Sequence, residues 1–150
     1  MCLVITQQHI VYIGKLLYNM CMLNRHEYRE KIVFAIYQHL LLHRSLYTCF
    51  DDNFTPEEIN DYVRSIRNDL SENKDAYIAE ISTHLNKWTF DRLNLVEQAI
   101  LLETVSEIKQ EIADKAVIID EAVILAKEYC DEDSYRYING VLDNICSRSA

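Results

Sequence analysis

Turn-forming residues are scarce here: two glycines and one proline serve 150 residues. Tight β-turns draw on those residue types, so an all-β fold is disfavoured and an all-α domain with short connections is expected. The five cysteines (Cys2, Cys21, Cys49, Cys130, Cys146) contain no CxxC pair. An odd, scattered set points to reduced thiols in a cytoplasmic protein, and without ligand pairs structural zinc is not expected. A glycine-rich phosphate loop, a nucleophile elbow and a metal-ligand cluster are all missing, so no catalytic residue, metal site or cofactor is assigned. His39 and His43 stand four apart, but HLLLH has no glutamate between them and no third ligand.

A long hydrophobic run is also missing. Residues 1–19 are apolar but interrupted by Gln7, Gln8, His9 and Lys15. They are too polar and too short for a membrane span, and without a basic start or a small-residue cleavage site they do not read as a signal peptide. Residues 1–23 are therefore an N-terminal extension of open status. They are either an extra helix or strand on the core, or upstream sequence with Met20 or Met22 as the true start. Residues 24–150 are expected to form one domain, long enough for a real core.

Positive charge is in short supply, and it is unevenly placed. The net charge is −9, which argues against non-specific nucleic-acid binding. Residues 1–50 hold five basic side chains (Lys15, Arg25, Arg29, Lys31, Arg44) against two acidic ones, whereas residues 51–150 hold ten against twenty-two. Four of the five histidines also lie in the first third. A polyanion should meet that end of the molecule.

What is present is helical periodicity. Asn24 to Tyr47 reads as a long helix with Tyr28, Ile32, Ala35 or Ile36, and Leu40 on one stripe, and with Arg25 and Arg29 on one face. Cys49 to Phe54 reads as a loop. Thr55-Pro56-Glu57-Glu58 reads as a helix start with a capping box, followed by Ile59, Tyr62 or Val63, Ile66 and Leu70. Ser71 to Lys74 reads as a break before a helix from Asp75 to Trp88, with Trp88 as a core anchor. Asn94 and Glu97 fit the N-cap and N3 of a helix running to about Ala113. Val117 to Tyr129 is another, with Val117, Ile118, Ala122, Leu125 and Tyr129 near helical spacing. Asp131 to Ser134 breaks that pattern, and Asp133 or Ser134 can cap a last helix. That helix buries Tyr137 or Ile138, then Val141, Leu142 and Ile145. Gly140 inside it costs up to ~1 kcal/mol relative to alanine, which suggests close approach of another helix; the alternative is a surface glycine without a role.

Three blocks carry a family resemblance. RHEYREKIVFAIYQ, KWTFDRLNLVEQAILLETVSEI and EAVILAK-EDS-YINGVLD, in that order, resemble the NusB family of bacterial transcription antitermination factors. The likeness covers roughly Arg25 to Ile145. Departures are local: His26 and Glu27 where arginine is usual, Leu102 for arginine, Ser106 for tyrosine, and Asp120 for asparagine. The resemblance implies a single-domain helical bundle of about six to seven helices. It implies binding of a boxA-type leader RNA together with NusE, a ribosomal protein of the small subunit, within an RNA polymerase antitermination complex acting on ribosomal RNA operons.

On that basis Arg25, Arg29 and Lys31 contact RNA phosphates, with Tyr135, Arg136 and Tyr137 extending the RNA surface. Tyr37 stacks or faces the partner, and Glu97 falls on the NusE side. Solvated helix charges for Arg25 and Arg29, and core burial for Tyr37 and Tyr137, are the alternatives from the residues alone. A homodimer through a helical face is left open. The competing function is a diverged interaction module that uses its acidic surface for a protein partner, without RNA.

Overall fold

The computed structural model describes residues 23–148. The readings made for residues 1–22 lie outside the described residues. Among the described residues, six α-helices and one 3-10 turn follow in order: α1 (Arg25–Leu42), α2 (Leu46–Asn53), α3 (Asp61–Ser82), the turn Phe90–Arg92, α4 (Leu95–Lys109), α5 (Lys115–Tyr129) and α6 (Ser134–Arg148).

α4 is the axis of the bundle. Every residue from Glu97 to Ile108 is buried, because α1, α3, α5 and α6 all pack around it. A helix buried on all sides needs an apolar surface all round, and Ala99, Ile100, Leu101, Leu102, Val105 and Ile108 supply most of it. Its start is fixed locally: Asn94 Oδ1 accepts from the Glu97 backbone N–H at 2.9 Å, and Glu97 accepts from the Asn94 N–H at 3.2 Å. α1 starts by the same device, with Asn24 and Glu27 exchanging bonds of 2.9 and 2.7 Å. Each box satisfies two of the donors a helix start leaves free. α6 buries Ile138, Val141, Leu142 and Ile145 as its spacing predicts, with Tyr137 only half-buried.

Several boundaries differ from the sequence reading. α1 stops at Leu42 because His43 turns left-handed at φ 55°. A new helix starts at once, with the Ser45 side chain accepting from Thr48 N–H at 3.1 Å, so most of the loop read at Cys49 to Phe54 is helical. The start read at Thr55-Pro56 is only a turn. Asn60 is the true cap, accepting from Val63 N–H at 3.0 Å. The break read at Ser71 to Lys74 is continuous helix, since Ser71 donates back to the Arg67 carbonyl and Asn73 to the Asp69 side chain. α3 then ends at Ser82, well short of Trp88. Trp88 is 63 % exposed and is no core anchor. α4 ends at Lys109 rather than Ala113, and Glu111 beyond it is left-handed at φ 52°. Of the apolar residues near helical spacing in α5, Val117 and Tyr129 are exposed. Ser134 opens α6, but its hydroxyl donates to Glu97.

The close helix approach expected at Gly140 is not there: a Cβ built on it meets nothing within 4 Å. Gly140→Ala should therefore stabilise the protein by up to about 1 kcal/mol. Urea denaturation checks this, and a lowered midpoint would show that the glycine is needed for packing.

Candidate functional site

The basic start of α1 is built into the bundle more than laid on its surface. Arg29 is 5 % exposed. Its guanidinium forks onto Glu107 of α4, with Nε and Nη2 donating at 2.9 and 3.0 Å, while Nη1 lies 3.8 Å from Glu121 of α5. The same Glu107 accepts a hydrogen bond from the Tyr62 hydroxyl of α3, which also lies 3.2 Å from Glu103. Four side chains from three helices thus meet at one buried point. The solvent face shared by Arg25 and Arg29 in the sequence reading is split, since Arg29 points inward. Arg25 stays exposed with its guanidinium 3.9 Å over the Tyr62 ring, a cation–π contact that leaves its N–H edges outward. Lys31 is half-buried, paired with Glu58 at 2.8 Å and lying 5.4 Å over the Phe54 ring. His26 bonds Glu121 at 3.0 Å, and that bond, outweighing partial burial, raises its pKa.

Glu103 was missed by the sequence reading. Two glutamates four apart in an otherwise apolar helix were the available signal, since a buried carboxylate needs a cation or a proton. Among the described residues, Arg29 is the cation that serves this pair. Burial of Glu103, then the charge of Glu107, holds the Glu103 carboxyl well above the usual range, which favours its protonated form. Burial also opposes ionisation of Glu107, but the Arg29 fork together with the Glu103 and Tyr62 hydrogen bonds outweighs it and lowers its pKa.

This division of protons has a consequence for stability. Glu103, raised in the folded state, contributes stability that is full below the unfolded carboxyl pKa and is lost as pH rises through the folded value. Glu107, lowered, contributes stability that is lost as pH falls through its folded value. Glu103→Gln keeps a donor toward Glu107 and removes the titration. The stability of Glu103→Gln relative to the wild type should therefore rise as pH increases above the unfolded carboxyl pKa. Urea midpoints across that range test it, and parallel curves for the two proteins would contradict it.

The second group of sequence-predicted residues gathers at the opposite end of α4. Glu97 is buried; besides its capping role, its second oxygen accepts from Ser134 and ties the start of α6 to the start of α4. Tyr135 is half-buried, with Lys127 Nζ 4.7 Å over its ring and Arg136 5.7 Å from it. Arg136 is exposed. Tyr137 is half-buried, and its buried hydroxyl has no well-formed hydrogen bond. Tyr37 is half-buried against the core, three positions beyond Phe34, whose ring meets Tyr129 edge-on at 5.2 Å. Arg29 marks the Glu107 end of α4 and Ser134 the Glu97 end, ten positions apart, or about 15 Å by helical rise.

The NusB family profile matches residues 26–147. The chain belongs to the NusB family. A transcription antitermination protein NusB from Sulfurovum sp. is 38 % identical over 128 residues, covering 83 % of this chain and 98 % of the relative. Its counterpart from Oceanobacillus iheyensis is 34 % identical over 124 residues, covering 82 % and 98 %. Among solved structures, T. maritima NusB superposes with a TM-score of 0.78 at 27 % identity, covering 83 % of this chain and 92 % of that one. A structure of the antitermination factors NusB and NusE with double-stranded RNA matches at a TM-score of 0.72 and 22 % identity, covering 83 % and 96 %, which supports the NusB fold alone. Among the described residues no helix is long and apolar enough to cross a membrane.

Proposed function

We propose that this NusB-family protein is a transcription antitermination factor that binds a boxA-type leader RNA together with NusE and works within an RNA polymerase complex on ribosomal RNA operons. It acts by binding rather than catalysis, in the cytoplasm, through the domain spanning residues 24–150. The observation that carries the reading is the family match along nearly the whole described chain, to relatives named for antitermination. The solved assembly of a NusB with NusE and RNA shares the fold.

Within that reading, the residues divide by what their side chains have left to offer. Arg25 and Arg136 are exposed cations beside tyrosine rings and serve as phosphate and base contacts. Lys31 serves as a phosphate contact once Glu58 releases it. Tyr135 and Tyr137 extend the RNA surface by stacking. Arg29 acts as a positioning residue: its pair with Glu107 fixes α1 on α4, and so places Arg25. Glu97 likewise places the start of α6, and Tyr37 serves as a partner contact.

Salt dependence tests the phosphate role. Each phosphate contact releases counterions, so Arg25→Ala should weaken RNA binding across sequences and reduce the slope of log affinity against log salt by about one. Fluorescence anisotropy with a labelled boxA-type RNA measures both quantities. An unchanged slope in Arg25→Ala would remove Arg25 from the RNA surface.

A further inference from the structure

Trp88 stands in the loop between α3 and the 3-10 turn, 63 % exposed. Against it lies an open concavity of about 390 Å³, within the ~300–1,000 Å³ range of small-ligand sites. Trp88 and Tyr137 give this concavity two aromatic side chains, and Asn86 and Asn144 give it two amides. Lys87 gives it a cation, and no aspartate or glutamate lines it. That is unusual in a stretch of chain where acidic residues outnumber basic ones more than twofold. A second hollow that shares Trp88 and Tyr137 holds Glu97, Asp131 and Asp133 against the single cation Arg92. Negative charge is therefore better accommodated in the first hollow than in the second.

Gly140 belongs to the same concavity. It sits mid-helix, where glycine is unfavourable, and packing does not account for it, since nothing lies within 4 Å of a Cβ built there. The missing side chain leaves the hollow open beside Tyr137.

We infer that this concavity is a nucleobase pocket, taking one unpaired base of a single-stranded RNA against Trp88 and Tyr137, with Lys87 meeting the adjoining phosphate. Aromatic faces stack any base, amides bond base edges, and a lysine supplies the backbone charge. The inference rests on the RNA-binding reading above and adds to it the specific residues Trp88, Lys87 and Gly140. None of these three was singled out as an RNA contact by the sequence.

Trp88 is the only tryptophan in the chain, so its emission reports on the pocket directly. The test is a titration with unlabelled single-stranded boxA-type RNA read by tryptophan emission. In parallel, a labelled copy is read by anisotropy at several salt concentrations, for the wild type, Trp88→Ala and Gly140→Leu. RNA should quench Trp88 emission. Both variants should bind about tenfold more weakly, because one stacked base is lost. Their salt slope should match the wild type, because the phosphate contacts are kept. Circular dichroism establishes that both variants stay helical. RNA binding by anisotropy with unchanged emission and unweakened variants would overturn the pocket while leaving the RNA reading in place. No RNA binding by either readout would overturn both. Quenching by NusE alone, with none by RNA, would make this surface a protein-docking site and overturn the proposal.

Discussion

Arg29→Glu should leave the protein largely unfolded, not merely unable to bind RNA. The guanidinium is 5 % exposed and forks onto the buried Glu107. Removing one partner of a buried ion pair leaves an uncompensated charge, at a cost of about 3–5 kcal/mol. Charge reversal goes further by bringing a third carboxylate to Glu103 and Glu107. Against a typical total stability of about 5–15 kcal/mol, that removes much or all of the margin. From the sequence alone, Arg29 reads as an RNA contact or a solvated helix charge, whereas the structure buries it on Glu107. Arg29→Lys keeps the charge but not the two-pronged geometry, so an intermediate loss is expected. Far-UV circular dichroism and urea denaturation distinguish the outcomes. A helical Arg29→Glu protein with a wild-type midpoint would place Arg29 on the surface after all.

Leu142→Ala is the second large effect, with an expected cost of about 2–5 kcal/mol. Leu142 is fully buried on the face of α6 that also carries Ile138, Val141 and Ile145. α6 packs on α5 and α4, so the truncated side chain leaves a cavity that the axis of the bundle cannot collapse to fill. Ile124→Ala is the matched control: Ile124 is 42 % exposed on α5, and its change should stay within about 0.5 kcal/mol. Thermal melts of the two variants side by side check the contrast. Equal losses would mean that the buried faces of α5 and α6 are wrongly assigned.

Local patterns were legible in the sequence. Asn94 and Glu97 form the capping box that their spacing announces, and the buried stripe of α6 follows its apolar spacing. These features depend on residues three or four apart. What escaped depends on residues far apart in the chain, or on competition between neighbouring signals. Arg29 meets a partner 78 positions away, and a solvated pair with a nearby glutamate looks the same in the sequence. Thr55-Pro56 has every mark of a helix start, yet Asn60 caps instead. Ser71 to Lys74 looks like a break because its residues are polar, but their side chains bond within the helix and leave it intact. Trp88 looks like a core anchor because tryptophan is large and apolar, and nothing local reveals that α3 has already ended. The RNA-facing reading of α1 is changed in one particular: Arg25 remains outside on Tyr62, while the charge of Arg29 is committed to Glu107.

The most direct test of the account is the binding of a fluorescent boxA-type RNA to the wild-type protein, with and without NusE, across a salt series. Binding that tightens with NusE and weakens linearly in log salt is the predicted result. A folded, helical protein that binds no RNA in either condition would contradict it, and would leave a NusB fold that works through its acidic surface on a protein partner.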